Sequence, residues 1–211
     1  MEGLKMYKFK FFIDFEKEEQ WLEQMANNGY HLQNTFLGYQ FKRGKSETAT
    51  IKIDFRKFRK KEDFIDYCTM FEDSGWKHLA GSKSSGMQYF EKTDDTEVND
   101  IFSDNNSKAA RYKRYANMSF ELAMSFLPLL VVFYLADIID FKAFINPKEL
   151  YFTPGLWDKT GTLFWFSFLF ETPFALMRGF AWSFIPLTII LYLLFGYKSN
   201  KLYLQNTSEK K

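Results

Sequence analysis

Along residues 6–15, MYKFKFFIDF, large apolar side chains alternate with polar ones. Tyr7, Phe9, Phe11, Ile13 and Phe15 fall on one face, Lys8, Lys10 and Asp14 on the other. A period of two with aromatics predicts a half-buried strand. Phe12 breaks the polar face where a solvated strand would carry another polar residue. From Glu16 the period becomes helical, with Trp21, Leu22, Met25 and Ala26 as the apolar stripe. Asp14 stands where a cap belongs, and Glu16, Glu18 and Glu19 suit the positive end of the helix. Together with Glu23 these acids read as a solvated face. Gly29 is placed to end the helix in a left-handed conformation. Residues 30–43, YHLQNTFLGYQFKR, supply two short strands that bend near Gly38.

The order then recurs. ATIKIDF alternates, with Ile51, Ile53 and Phe55 on one face; KKEDFIDYCTMFEDS carries Phe64, Cys68 and Phe71 at helical spacing; Gly75 stops it; WKHLAG and GMQYFEK read as strands. Each unit reads β-α-β-β and exposes a sheet face it cannot cover alone, so two units paired about a pseudo-twofold axis close a core. The expected fold class is α+β: a duplicated β-α-β-β domain over residues 1–92, with one mostly antiparallel sheet of about six strands and two helices on one face.

The second part of the chain is different. Met118–Ala136, MSFELAMSFLPLLVVFYLA, has one charge, and Thr162–Tyr197 has only Glu171 and Arg178. About 20 apolar residues cross a bilayer core of roughly 30 Å. The second run is about 54 Å long as one helix, too long for one crossing, so it divides at MRG, residues 177–179. Residues 93–115 then read as a polar linker ending in a basic juxtamembrane segment, 116–138 as the first span, 139–161 as an extracytoplasmic loop, 162–178 as an interfacial or re-entrant segment or a short span of its own, 179–197 as the second span and 198–211 as a tail.

Charge sets the orientation. Residues 1–114 hold 20 Lys and Arg against 19 Asp and Glu; residues 115–211 hold 8 against 7. Lys108, Arg111, Lys113 and Arg114 precede the first span, and Lys198 and Lys201 follow the last. The positive-inside rule predicts a multi-pass protein of the cell membrane with both termini cytoplasmic. The N-terminus alternates and is charged, unlike a signal peptide. Three charges mark the apolar part. Glu121, three residues inside the first span, reads as snorkelling to the inner surface. Glu171 and Arg178 lie either at the outer interface or on one helix face about 10 Å apart, where a direct bridge needs the chain to bend.

The net charge of +2 points to no nucleic-acid partner. One cysteine, Cys68, excludes an intramolecular disulfide and a Cys-based zinc cluster and reads as a small core residue. No GxSxG, HExxH or phosphate loop is present, so no enzymatic activity and no cofactor is expected. GSKSSGMQ, residues 81–88, reads as a hairpin loop rather than an anion cradle. RKFRKKED, residues 56–63, reads as a solvated loop or as a patch for anionic headgroups. His31 and His78 follow the two helix-ending glycines at nearly matching places; they either face a shared groove or are half-exposed residues at strand starts.

FFIDFEKEEQWLEQMANNGYHL, MFEDSGWKHLA and QYFEK, followed by two apolar segments, resemble the bacterial membrane-anchored domains of unknown function often encoded beside PadR-type repressors. The resemblance covers roughly residues 6–92. It implies membrane residence and a link to envelope or drug stress, and supplies no catalytic residues. Two functions are compatible with the residues. One is a membrane-anchored cytoplasmic sensor or adaptor whose domain binds a lipophilic small molecule or a regulatory partner, with Phe12, Tyr39, Tyr89, His31 and His78 as candidate contacts. The other is an accessory or immunity-like membrane subunit that acts through its transmembrane helices on a transporter, another membrane protein or a second copy.

Overall fold

Short alternating segments form the strands and long apolar or amphipathic segments the helices. The computed structural model describes residues 5–93 and 99–208. The order is β1 (Lys5–Lys8), α1 (Phe15–Asn27), β2 (Tyr30–Asn34), β3 (Tyr39–Arg43), β4 (Ile51–Phe55), α2 (Lys61–Asp73), β5 (Trp76–Gly81), β6 (Met87–Lys92), α3 (Asn105–Leu135), three short 3-10 turns and α4 (Gly161–Ser208). The fold is α+β, as expected. The described residues fall into two compact units, one drawn from Met1–Asn117 and Tyr197–Lys211, the other from Met118–Gly196.

The first unit holds the two β-α-β-β segments. Asp14 Oδ1 accepts from the amides of Glu16 and Lys17 at 3.1 and 3.4 Å, so it caps α1. Gly29 and Gly75 follow α1 and α2 with φ of 79° and 81°, the left-handed region that a Cβ makes costly. Two separate three-stranded antiparallel sheets form, ordered β1–β3–β2 and β4–β6–β5, in place of the single six-stranded sheet expected. The expected continuation falls between β2 and β5, which lie close to each other. Each carries a bulge, between Leu32 and Asn34 and between His78 and Ala80. Bulges raise local twist and interrupt pairing, so the two edges meet without a shared ladder.

The predicted strand over residues 6–15 shrinks to Lys5–Lys8, and its aromatic face is outside: Phe9 is 82% exposed and Tyr7 and Phe11 are exposed with it. Lys8 pairs with Tyr39, the first residue of β3, and Gly38 before it turns away at φ 87°, so the ladder offers Phe9 no next partner. The core runs instead through Phe15, Leu22, Leu32 and Phe41 in the first segment and Ile51, Ile53, Tyr67, Trp76 and Phe90 in the second. Tyr67, expected at the flank of α2, is its buried residue, and half-buried Cys68 packs on the same cluster. Burial raises the Cys68 thiol pKa, which keeps it protonated and unreactive. The predicted hairpin loop joins β5 to β6 through residues 82–86, closed by Ser82 and Ser85.

Residues 93–115, expected as a linker, are largely otherwise. Residues 94–98 lie outside the described residues. Thr93 still donates to Gly75 O, and α3 begins at Asn105, capped by Asp104 Oδ1 on the Ser107 amide at 2.8 Å. Its first three turns belong to the α+β unit.

In the second unit α4 is unbroken through residues 177–179, which overturns the expected division and the re-entrant segment over 162–178. Pro173 and Pro186 lie inside the helix. Each removes one hydrogen bond of the helix ladder, and the helix continues through both. The 48 residues of α4 reach about 72 Å at 1.5 Å per residue; its last turns, Tyr197–Ser208, belong to the first unit. Ala123, Ile185 and Ile189 pack with Phe126, Leu130 and Tyr192 between α3 and α4. Gly196 lets the helices close: a Cβ there would sit 2.7 Å from the Phe120 ring.

Candidate functional site

α1 does not present a solvated acidic face. Glu18 and Glu19 are 1% and 3% exposed, because α1 lies across both segments of the α+β unit. Glu18 Oε1 accepts from the hydroxyls of Tyr39 on β3 and Tyr89 on β6, each at 2.7 Å. One carboxyl therefore joins the two sheets. Burial, partly offset by the two tyrosines, pushes the Glu18 pKa up to about 7. Burial and the neighbouring Glu18 raise both tyrosines, so they remain donors.

Beside it, α1 and α3 close the outer edge of β4. Glu23 Oε1 accepts from the Ile51 amide and Glu19 Oε1 from the Ile53 amide, both at 3.0 Å. Arg111 Nη1 donates to Glu19 and to Ile53 O, and Arg114 donates to Phe55 O and Asp54. Two carboxylates and two guanidinium groups thus take the backbone groups that an edge strand leaves unpaired. Asp54 also accepts from Tyr67 at 2.7 Å. Lys52 lies 3.6 Å from Glu19 Oε2, and Lys108 lies 3.3 Å from both Glu16 and Asp100.

Arg111 is fully buried, with Phe15, Phe102 and Tyr112 rings 5.2–5.3 Å from its guanidinium carbon. Its Nε and Nη2 make no hydrogen bond among the described residues; Nη2 has the Glu16 carboxylate at 3.8 Å.

This revises the juxtamembrane cluster. Lys108, Arg111 and Arg114 turn into the folded unit, while Lys113 reaches Asn200 at 3.2 Å and covers the Tyr203 ring. The spacing was the available signal: Lys108, Arg111 and Arg114 recur at steps of three on α3, and Glu16, Glu19 and Glu23 at steps of three and four on α1. Two complementary stripes predict a buried pairing better than two solvated faces.

The candidate ligand residues divide. Half-buried Phe12 packs inward against Trp21 at 5.4 Å and Tyr39 at 6.4 Å between ring centroids, with Lys10 over it. Phe12 also lines a groove of about 530 Å3, bounded by Phe11, Ile13, Asp14 and Lys17 on one wall and Lys198, Lys201, Leu202 and Gln205 on the other. Tyr39 and Tyr89 meet on Glu18. The histidines make separate contacts. His31 stands opposite Lys42, its Nε2 2.8 Å from Lys45 O; His78 stands opposite Phe90, its Nε2 3.1 Å from Gln88 Oε1. Tyr30 and Trp76 hold matching register positions, so His31 matches Lys77 and His78 matches Leu32. One residue out of step reverses the face in a strand. Burial lowers the His78 pKa, so it stays neutral at pH 7.

In the second unit Glu121 is exposed on α3. Arg178 bridges directly to Glu171 at 2.5 Å within one continuous helix, because residues seven apart share a face and two long side chains span about 10 Å. Arg178 also donates to Leu150 O and lies 3.8 Å over the Phe152 ring, and Glu171 accepts from the Phe152 amide and Thr153 hydroxyl.

Fold and site define an α+β domain continuous with two long apolar helices, either of which could cross a membrane by length and composition. A family model for proteins of unknown function, DUF2812, matches residues 14–124, and the chain belongs to that family. The matched segment begins at the Asp14 cap of α1 and contains Glu18, Glu19, Asp54, Tyr89, Arg111 and Arg114. No curated protein and no solved structure matches the chain.

Proposed function

We propose that this chain is a membrane-anchored sensor or adaptor whose α+β unit holds a lipophilic small molecule or a regulatory partner and passes the change to its membrane helices. One observation carries the reading: the apolar stretch leaves and re-enters the same unit. Arg111 and Arg114 fasten the start of α3 to α1 and β4, and Ser199 at the end of α4 donates to Tyr112 O at 3.0 Å. A stretch that starts and finishes in one folded unit crosses a bilayer an even number of times, with both termini on one side. Lys198 and Lys201 make that side the cytoplasm. Phe12 lines the groove and packs on Trp21 and on Tyr39, which donates to Glu18, so occupancy of the groove reaches a residue that both sheets share. The duplication read in the sequence supports the reading, since the two segments share element order, sheet order and bulge position. The link to envelope or drug stress rests on the family resemblance alone.

The full-length protein in lipid nanodiscs is titrated with a panel of hydrophobic antibiotics and dyes, reading the emission lost in a Trp21→Phe control. A saturable response that Phe12→Ala weakens by roughly threefold or more is expected. No response across the panel, or one indifferent to Phe12→Ala, sinks the ligand reading. Reporter fusions at Asn146 and at Lys211 should report opposite compartments; agreement between them overturns the topology.

The accessory-subunit reading has its own observation. Phe180, Phe184, Leu187, Leu191 and Leu194 are exposed along α4 at alternating steps of four and three, the seam of a helix pair. The intramembrane charges do not favour it, since Glu171 and Arg178 are already paired within the unit.

A further inference from the structure

Exposed apolar groups gather at one edge of the α+β unit. Phe9 and Phe36 are each 82% exposed and Leu37 is 71% exposed. They are neighbours: the Phe9 ring lies against Gly38, directly after Phe36 and Leu37. The edge continues past Phe11 into the groove whose other wall carries Lys198 and Lys201. Asp14 is the acidic residue lining that groove, and its carboxylate is occupied by the α1 amides, Lys17 and the Tyr112 hydroxyl. The edge is therefore aromatic and basic, with its acid engaged elsewhere.

We propose that this edge docks on an anionic lipid surface: Phe9, Phe36 and Leu37 enter the boundary between headgroups and acyl chains, and Lys198 and Lys201 hold phosphate-bearing headgroups. The inference rests on the reading that α4 crosses the membrane. Lys198 directly follows Tyr197, the last residue of the apolar run, and Lys201 lies about 6 Å further along the helix. A headgroup layer is about 5–7 Å thick, so both lysines fall within it. Their shared groove brings the Phe9–Phe11 segment to the same depth. A protein partner would explain the aromatics but not the match between the lysines and the end of the span. Aromatic and aliphatic groups at the interface with lysines on the headgroups bind anionic membranes in this way.

The test uses full-length protein in nanodiscs, with Cys68→Ser and a polarity-sensitive fluorophore at Phe36→Cys, or at Met70→Cys on α2 as the control. Nitroxide-headgroup lipid supplies the quenching. In discs containing phosphatidylglycerol the Phe36 probe should be quenched roughly threefold more than the Met70 probe, and Lys198→Gln with Lys201→Gln should reduce docking by roughly fivefold or more. Equal quenching at the two sites leaves the aromatic edge to a protein partner and overturns the proposal, as does equal quenching in phosphatidylcholine and phosphatidylglycerol discs. Extraction of the unlabelled protein by an alkaline wash removes the membrane reading itself, so the two failures are told apart.

Discussion

The two β-α-β-β segments share an element order but treat their first strands in opposite ways. Tyr7 pairs with Gln40 on β3 as Ile53 pairs with Tyr89 on β6, so they hold equivalent places. Ile53 is fully buried; Tyr7 is 57% exposed. The difference lies in what closes each edge. β4 is clamped by Glu19, Glu23, Arg111 and Arg114, and β1 has no counterpart of that clamp among the described residues. The same element order therefore forms twice, while α1 packs on β4 and α3 supplies the two arginines that close the edge of β4. The asymmetry puts the anchor on the second segment and leaves the first with its aromatics outward.

The largest expected effect breaks the clamp. Arg111→Ala leaves the buried Glu19 carboxylate with only Lys52, 3.6 Å from its other oxygen, as a charged partner, which costs about 3 kcal/mol. Thermal unfolding of the full chain in detergent, followed by tryptophan emission, should shift down accordingly. The paired change Arg111→Met with Glu19→Gln should recover much of the loss, because no lone charge remains. A single variant as stable as the parent would dissolve the distinction between the two edges.

Next comes the direct comparison of strands. Ile53→Ala opens a cavity at a fully buried site and should cost about 2–4 kcal/mol. Phe9→Ala should change stability by about 0.5 kcal/mol or less. Equal losses would mean that the aromatic edge is buried in the working protein.

Much of the fold was legible because it depends on local periods and stops. The alternation at 51–55, the helical stripes, the capping Asp14 and the glycines 29 and 75 each act through neighbours in the chain. What was not legible depends on a distant segment. The alternation of Tyr7, Phe9 and Phe11 is the same whether a helix covers it or not, and the face was assigned by hydrophobicity alone. Glu18 and Glu19 look like solvated acids until Tyr39, Tyr89 and Arg111 arrive from three other elements. Phe12 was legible as an exception, and it does pack inward. The division of α4 failed because it rested on length alone: residues 177–179 carry no stop that ends a helix, and α4 runs on through them.

A smaller effect belongs to the residue that joins the two sheets. The Glu18 carboxyl is raised from its ordinary 4.5 to about 7 in the folded chain. Below the unfolded value both states are protonated. Between the two values the unfolded chain ionises first, so stability falls as pH rises, by up to about 3 kcal/mol at 1.36 kcal/mol per unit. Glu18→Gln should flatten the dependence of melting temperature on pH between about 4.5 and 7, and should stabilise the protein at pH 8. A parent whose stability rises across that window would place the charged form of Glu18 in the fold.

The smallest expected effect compares the two helix ends. Gly29 and Gly75 both adopt φ near 80°, and an alanine in that region costs about 1 kcal/mol. Asparagine tolerates the left-handed region better than alanine, so at Gly75 the expected order of stability is Gly, then Asn, then Ala. At Gly29 a Cβ of any kind sits 2.9 Å from the Gly44 carbonyl oxygen, where the chain returns from β3. There Asn and Ala should cost alike, and both more than the backbone conformation alone explains. Melting temperatures of the four variants decide it. An asparagine tolerated equally at both positions would show that the turn after β3 yields to the new atom, and that the two helix ends are equivalent in packing as well as in conformation.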